Sequence, residues 1–291
     1  MGTRCDTDRG DRTRLLNMTE RTVFFLSDQT GVTAETLGHS LLTQFNGQEF
    51  RQVTLPFIDS DDKAHEAVAR INAAGETDSL RPIVFSTLVQ DNLRSIVREA
   101  QGLHLDIFDV FLQPLEVEFQ QESTHEPGRA HGMTDIEAYM RRIEATNFAL
   151  ANDDGGISRN YEMADVILIG VSRSGKTPTC LYLALQYGVY AANFPLADEE
   201  FESGELPEVL LEQKHKLFGL TIAPDRLRHI RKERRPLGTY SSAQQVRYEL
   251  RESDKIFRRD GISNVDTTEF SIEEIASRIL DSPGVERRVR A

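Results

Sequence analysis

Hydrophobic positions follow two different spacings along the chain. Short apolar runs at residues 22–27, 51–57 and 81–87 are typical of buried strands, and each is followed by a stretch with the apolar spacing of an amphipathic helix. The run at 103–111 predicts a fourth strand. Because strands that alternate with helices favour a parallel sheet, residues 19–121 are predicted to form an N-terminal parallel α/β domain.

The polarity of the chain changes after this domain. The segment 121–135 is polar and contains proline and glycine, which is typical of a connection between domains. An amphipathic stretch at 135–152 predicts a long helix. We therefore predict a connecting segment and helix over 122–160, and a disordered extension over 1–18, where apolar periodicity is weak.

A second α/β pattern occupies residues 161–291. An apolar strand at 164–170 leads through a glycine-containing turn into an amphipathic helix at 177–187. Ser271 and Glu274 have the spacing of a capping box, which predicts the start of the last helix. Further strands are predicted at 189–194, 217–222 and 262–267, and charged helices at about 224–235 and 241–259.

The turn in the second domain matches the phosphate-loop (P-loop) pattern G-x-x-x-x-G-K-[ST]. Its glycines let backbone amides approach phosphate oxygens, and the N-terminus of the following helix adds partial positive charge. Lys176 supplies a cation for the terminal phosphates, and the Thr177 hydroxyl suits Mg²⁺. We predict a P-loop kinase-like α/β domain that binds a nucleotide through Gly170, Val171, Ser172, Arg173, Ser174, Gly175, Lys176 and Thr177.

Composition restricts the classes of partner. The 291 residues carry a net charge of −13, a field that repels nucleic acid and anionic lipid. No uninterrupted apolar stretch approaches the roughly 18 residues of a membrane span. We expect neither nucleic acid nor a membrane as partner. The two cysteines, Cys5 and Cys180, cannot form a disulfide framework, so we expect reduced thiols and a cytoplasmic location.

Other residues are candidates for phosphoryl-transfer chemistry. The sequence DDGG at 153–156 places two carboxylates, Asp153 and Asp154, beside a turn, where they can hold Mg²⁺, act as a general base or be only part of the surface. Asp198 and Asp266 lie at predicted strand ends, which suit both Mg²⁺ ligands and plain helix caps. One predicted helix can close over transferring phosphates or be a solvated face, and it carries Arg226, Arg228, Arg231, Arg234 and Arg235.

The first domain contains a candidate for a second anion site. The sequence SDQTG at 27–31 lies between the first strand and its helix, where hydroxyls and backbone amides can bind phosphate. Ordinary capping and turn chemistry accounts for the same residues equally well.

Several blocks of the chain are more specific than the bare P-loop pattern. They are FFLSDQTGVTAETLGHSLLTQF, VTLPF, LANDDGGI, ILIGVSRSGKTPTCLYLALQYGVYAANFPL, HKLFGLTIAPDRLRHIRKERR and FSIEEIASRIL. Together they resemble the bacterial phosphoenolpyruvate synthase regulatory proteins, over nearly everything from Thr19 to Leu280.

The resemblance implies a bifunctional enzyme, an ADP-dependent serine/threonine-protein kinase and a pyrophosphorylase. It implies that ADP phosphorylates a threonine of the partner, phosphoenolpyruvate synthase, and that inorganic phosphate removes this group as pyrophosphate. It carries the nucleotide site onto Gly170–Thr177. We assign Lys176, Arg173 and Asp154 as catalytic and Thr177 as the Mg²⁺ ligand, with Arg173 as a second cation suited to a donor shorter than ATP. A homodimer is one possible assembly.

Three alternatives stay open at this point. A sister group of the same family acts on pyruvate, phosphate dikinase, although the segments TYSSAQQVRYELRESDKIF and ISNVDTTEFSIEEIA look closer to the synthase group. The residues alone also fit a P-loop kinase of a small metabolite with a lid of arginines. They equally fit a nucleotide-sensing module without catalysis.

Overall fold

The chain forms two compact units, Met1–Gly132 and Met133–Ala291. The structure is a computed structural model that describes residues 20–124, 136–153, 160–235, 238–282, 284–285 and 287–289. The extension predicted at 1–18 lies outside the described residues. Among the described residues, no helix combines the length and the apolar character that crossing a bilayer would require.

The first unit is built on a four-stranded parallel sheet with the order β2-β1-β3-β4. Alternate residues of β1 pack into two different cores, one on each face of the sheet. Its strands are β1 (Arg21–Leu26), β2 (Phe50–Leu55), β3 (Ile83–Ser86) and β4 (Leu103–Asp106). Its helices are α1 (Val32–Leu42), α2 (Asp61–Asp78), α3 (Asp91–Val97) and α4 (Ile107–Phe119).

The fourth strand is shorter than the apolar run that predicted it. Pairing with β3 ends at Asp106, and α4 begins at the next residue. The Asp106 carboxylate accepts a hydrogen bond of 3.2 Å from the Asp109 N–H and so caps the helix. The prediction of a strand over 107–111 was therefore wrong, because this cap starts a helix within the apolar run.

The second unit has the same strand order, with a parallel sheet β6-β5-β7-β8. Its strands are β5 (Val166–Val171), β6 (Ala191–Leu196), β7 (Leu217–Thr221) and β8 (Asn264–Asp266). Its helices are α5 (Ile136–Ala151), α6 (Lys176–Tyr187), α7 (Asp198–Ser203), α8 (Glu208–Leu211), α9 (Pro224–Arg234), α10 (Ala243–Asp260) and α11 (Ile272–Leu280). The predicted class, two parallel α/β units with a kinase-like second one, is confirmed. The short helices α7 and α8 were not predicted.

Helix α5 is an integral part of the second unit. The sequence pattern assigned it to a connecting segment, but Ala145 and Ala149 are fully buried in the same core as Leu168 of β5 and Leu183 of α6. The small side chains let α5 pack closely on α6. This packing brings the C-terminal end of α5 towards the P-loop.

The P-loop lies at the switch point of the second sheet. The chain leaves β5 through α6 to reach β6 on one side, whereas the later strand β7 lies on the other side of β5. In parallel α/β sheets, ligands bind at the carboxyl ends of the strands where the strand order reverses in this way. Strand β5 is buried along its whole length, so the loop that follows it is held by the core.

Candidate functional site

The backbone of the P-loop requires glycine at two positions. Gly170 has φ of 154°, and a Cβ there would lie 2.3 Å from the carbonyl oxygen of Leu220 on β7. Gly175 has φ of 96° and precedes the first residue of α6. Within the described residues, no side chain caps this helix. An uncapped helix N-terminus carries partial positive charge and favours an anion.

The Lys176 side chain lies inside the loop. It is almost fully buried, and its Nζ donates hydrogen bonds to the carbonyl oxygens of Gly170 at 3.1 Å and Val171 at 3.0 Å. The loop carbonyls thus hold the ammonium group beside the loop amides that are expected to bind phosphates. Lys176 therefore supports the shape of the loop as well as its charge.

A carboxylate contacts the P-loop hydroxyl. The Oδ1 atom of Asp153 accepts a hydrogen bond of 2.8 Å from the Thr177 Oγ1 and another from the Asn193 Nδ2. Asn193 is buried on β6, so the carboxylate is fixed from two sides. Sequence reasoning selected the neighbouring Asp154, which lies outside the described residues, so its role stays a prediction. Sequence reasoning did not single out Asp153, although the DD pair in the DDGG turn was a signal for either carboxylate.

A buried arginine supports the loop from the other helices of the unit. Arg231 on α9 is fully buried and donates to the Ser172 carbonyl oxygen at 3.0 Å and to the Glu249 carboxylate at 2.6 Å. It also donates to the Tyr240 carbonyl oxygen at 3.1 Å, and its guanidinium lies over that ring. The Tyr240 hydroxyl is 3.0 Å from the Ser172 hydroxyl. Arg231 is thus a structural support of the loop.

A cavity of about 750 Å³ opens beside the loop. It is lined by Asp153, by the P-loop and by Pro178 in the first turn of α6. The remaining described lining residues come from α9 and the turn after it: Ile230, Arg234, Arg235 and Tyr240. Exposed Arg173, at φ of 76°, and Lys176 are the P-loop cations in the lining. Among the described lining residues there are four cations and one carboxylate, so the cavity attracts anions in a chain of net charge −13.

Other predicted site residues lie elsewhere. Arg226 and Arg228 are on α9 but not among the described residues that line the cavity. Asp198 is the first residue of α7 and also does not contribute to this lining. The Asp266 carboxylate accepts a hydrogen bond of 2.9 Å from the Thr268 N–H, as in a plain turn. The arginine cluster is therefore divided, with Arg231 supporting the loop and two other members facing the cavity.

The SDQTG segment forms a tightly bonded turn in the first unit. The Ser27 Oγ accepts from the Gln29 N–H at 3.1 Å, and the Ser27 carbonyl oxygen accepts from the Ile58 N–H at 3.0 Å. Asp28 is buried, and its Oδ2 has no hydrogen-bond partner among the described residues. Burial raises the pKa of Asp28, although backbone hydrogen bonds oppose this shift. Turn chemistry is thus present here, and phosphate binding at this turn stays a prediction.

The P-loop pattern thus lies between a buried strand and a helix N-terminus in a parallel α/β unit. The family model described as kinase/pyrophosphorylase matches residues 23–280. The chain belongs to the kinase/pyrophosphorylase family.

Curated relatives match this chain over almost its full length. A protein of Alcanivorax borkumensis is 53% identical over 271 residues, covering 93% of this chain and 100% of the relative. A protein of Herminiimonas arsenicoxydans is 55% identical over 268 residues, covering 92% and 95%. A protein of Pseudomonas aeruginosa is 51% identical over 271 residues, covering 93% and 99%. Each is named "Putative phosphoenolpyruvate synthase regulatory protein", and the resemblance inferred from the sequence is confirmed.

Proposed function

We propose that the chain is a bifunctional regulator of phosphoenolpyruvate synthase. It phosphorylates a threonine of the synthase with ADP, and it removes this phosphate with inorganic phosphate, releasing pyrophosphate. The observation that carries the proposal is the contact between Asp153 and Thr177 at a P-loop that opens into a cation-lined cavity. Membership of the kinase/pyrophosphorylase family and the names of the relatives support the two reactions and the target.

In the kinase direction, the threonine oxygen attacks the β-phosphorus of ADP. The bond from this phosphorus to the bridging oxygen breaks, AMP leaves with the electron pair, and the threonine hydroxyl releases one proton. Catalysis of such a transfer depends on positioning and on neutralising charge. Lys176, Arg173 and the amides at the start of α6 supply that charge, and the proton passes to water.

In the opposite direction, an oxygen of the hydrogen phosphate dianion attacks the phosphorus of the phosphothreonine. The bond from this phosphorus to the threonine oxygen breaks, and that oxygen takes the proton that the attacking phosphate gives up. The products are pyrophosphate and the threonine hydroxyl. Pyrophosphate and the tail of ADP both contain two adjoining phosphate groups, so one P-loop suits both reactions.

The residues beside the loop fit Mg²⁺. The Thr177 hydroxyl and the Asp153 carboxylate offer two oxygen atoms 2.8 Å apart, and oxygen is the ligand that Mg²⁺ prefers. The described residues contain no cluster of three or more acidic, histidine or cysteine side chains suited to a metal. This suits a cation that is held by one or two protein oxygens and by substrate phosphates. When bound, Mg²⁺ supplies charge neutralisation to the phosphates.

The test is transfer of label from ADP to purified target enzyme. With ADP labelled in the β-phosphate, we expect labelled phosphoenolpyruvate synthase and no label on pyruvate, phosphate dikinase. ATP labelled in the γ-phosphate and freed of ADP should transfer nothing. Labelling of the dikinase alone would make that enzyme the target, and labelling of neither protein would exclude the kinase function for both.

Lys176→Ala tests whether the two reactions use the same P-loop. A shared P-loop predicts that this variant loses kinase activity and pyrophosphate release together, each by at least about a hundredfold. Loss of kinase activity with unchanged pyrophosphate release would exclude a shared site. Its stability must be measured as well, because Lys176 is buried and hydrogen-bonded to two loop carbonyls. We expect a loss of about 1.5–3 kcal/mol, since hydrogen bonds to a charged group are removed.

A further inference from the structure

Two guanidinium groups in the P-loop cavity have no carboxylate partner among the described residues. Arg234 ends α9 and Arg235 follows it, and both are exposed and line the cavity. Arg231, one turn earlier, is instead paired with Glu249 inside the unit. Exposed cations that line a cavity without a paired carboxylate are available to bind an anionic ligand.

The charges of the loop side already match a nucleoside diphosphate. Arg173 and Lys176 bring two positive charges, a bound Mg²⁺ would add two more, and Asp153 brings one negative charge. The sum is three positive charges, which would neutralise the three negative charges of fully ionised ADP. Arg234 and Arg235 then remain, and their two positive charges match the dianion of a separate phosphate group.

The position of the two arginines is not explained by the helix alone. Cations near a helix C-terminus interact favourably with the helix dipole, and Lys232 in the same last turn serves this purpose as well. Among the described residues, however, Lys232 does not line the cavity whereas Arg234 and Arg235 do. The planar guanidinium also donates two parallel hydrogen bonds to phosphate oxygens, which a lysine cannot do.

We propose that Arg234 and Arg235 form an anion subsite, separate from the P-loop, that binds inorganic phosphate in the dephosphorylation reaction. The proposal rests on the proposed function and assigns a binding site to its co-substrate, inorganic phosphate. In the kinase direction the cavity receives ADP and a neutral hydroxyl. In the opposite direction it must hold two phosphate groups at once, one on the threonine and one free, and this second anion requires the additional cations.

Direct binding tests the subsite without the target enzyme. Inorganic phosphate and, separately, ADP with Mg²⁺ are titrated calorimetrically into wild type and Arg234→Gln/Arg235→Gln. We expect the Kd for phosphate to rise at least about tenfold and the Kd for ADP to change less than about threefold. Retained ADP binding shows that the variant is folded. The matched control is Arg226→Gln/Lys232→Gln, which removes the same charge from α9 outside the described cavity lining and should leave both Kd values unchanged.

A second variant and a second ligand sharpen the test. Arg234→Lys/Arg235→Lys keeps the charge but not the forked donors, so its Kd for phosphate should lie between those of wild type and the glutamine variant. A phosphothreonine peptide distinguishes free phosphate from the phosphate of the target.

Three results would overturn the subsite. They are an unchanged Kd for phosphate, an equal loss of ADP and phosphate binding, and a loss of phosphothreonine-peptide binding with free phosphate unaffected. Failure of the proposed function would be seen separately, as absence of transfer from ADP to the synthase by wild type. The phosphate titration would still report on the subsite in that case.

Discussion

At the residue scale, the P-loop depends on side chains that contact its own backbone. Lys176 donates to two loop carbonyls, and Asp153 accepts from the Thr177 hydroxyl. These contacts hold the loop and its cation in place, so the proposed binding of phosphate would require little further ordering of the loop. The same atoms are the ones expected to exchange partners on binding, because a phosphate competes for Lys176 and a cation competes for Asp153.

Replacement of Asp153 tests whether this carboxylate or that of Asp154 is needed for phosphoryl transfer at the P-loop. Asp153→Asn keeps the size of the side chain but removes its charge, and we expect transfer from ADP to fall by about 10²–10⁴-fold. The same change at Asp154 is the matched comparison, measured as initial rates over a range of Mg²⁺ concentrations. If Asp153 holds the cation, its variant will also need more Mg²⁺ for half-maximal rate. A larger loss for Asp154→Asn would return the role to the residue that the sequence indicated.

Asp28 should make the first unit less stable as the pH rises. Burial raises its pKa in the folded state, so the folded protein binds more protons than the unfolded chain between the two pKa values. Its contribution to the free energy of unfolding is therefore lost as the pH rises through this interval. Asp28→Asn should gain stability relative to wild type between pH 4 and pH 7, measured by urea unfolding.

Asp59→Asn is the control for this measurement, with the opposite sign. The hydrogen bond from Lys63 lowers the pKa of Asp59, so its contribution is present at neutral pH and is lost as the pH falls through the folded-state value. This interval lies below the ordinary value of 3.8, so the Asp59 variant should lose stability relative to wild type as the pH rises to about 4 and should differ from wild type by a constant amount between pH 4 and pH 7. A difference between Asp28→Asn and wild type that stays constant with pH would contradict the assignment.

At the scale of elements, a buried ion pair joins α9 to α10, and its arginine is also hydrogen-bonded to the P-loop. Arg231 of α9 contacts Glu249 of α10, the carbonyl of Ser172 in the loop, and the turn at Tyr240. A buried pair of this kind adds little net stability compared with apolar residues, but the loss of one partner leaves an uncompensated charge. Its specific contribution is the orientation of the Ser172 carbonyl, which Arg231 holds through two nitrogen atoms.

A double-mutant comparison separates stability from loop orientation. Glu249→Leu alone should cost about 3–5 kcal/mol of unfolding free energy, because it leaves Arg231 buried without its partner. Arg231→Met/Glu249→Leu should recover much of that loss while ADP-dependent transfer remains impaired, since the Ser172 carbonyl still lacks its donor. Urea unfolding and the transfer assay measure the two effects separately. Wild-type transfer in the double variant would show that Arg231 has no part in orienting the loop.

At the scale of the whole molecule, an acidic chain contains a cationic cavity. The net charge is −13, whereas the described lining of the cavity holds four cations and one carboxylate. The field of the molecule therefore repels anions generally, and the cavity reverses that field locally. This contrast favours small phosphate compounds over polyanions such as nucleic acid, whose charge extends beyond the cavity.

The affinity for ADP should therefore depend on salt. Raising KCl from 20 to 500 mM should increase the Kd for ADP by about tenfold, because screening weakens attraction between charges that remain accessible to solvent. Adenosine, which lacks the phosphates, is the matched ligand and should show almost no salt dependence. Calorimetric titration at four salt concentrations measures both. Equal salt dependence for the two ligands would show that the phosphates do not bind among the cations.

The local sequence pattern was sufficient to predict most helices and strands and the position of the P-loop. Strand β5 is an apolar run, and the P-loop has glycine at two of its three residues with positive φ, Gly170 and Gly175, whereas Arg173 is the third. The capping box at Ser271 and Glu274 is present, with the Ser271 N–H donating to Glu274 at 2.8 Å. These features could be predicted because their causes lie within a few residues of one another.

Only the tertiary structure decided which distant residues complete the site. Asp153 and Asp154 are equivalent in the sequence, but the packing of α5 on α6 brings Asp153 to the Thr177 hydroxyl. Arg231 and Arg234 lie on one helix, yet the first is buried beneath the loop and the second faces the cavity. The sequence by itself thus determined the α/β class and the phosphate loop, since short-range spacing is sufficient for both. The roles of the carboxylates and arginines required the fold, because they depend on which side of a packed element each residue occupies.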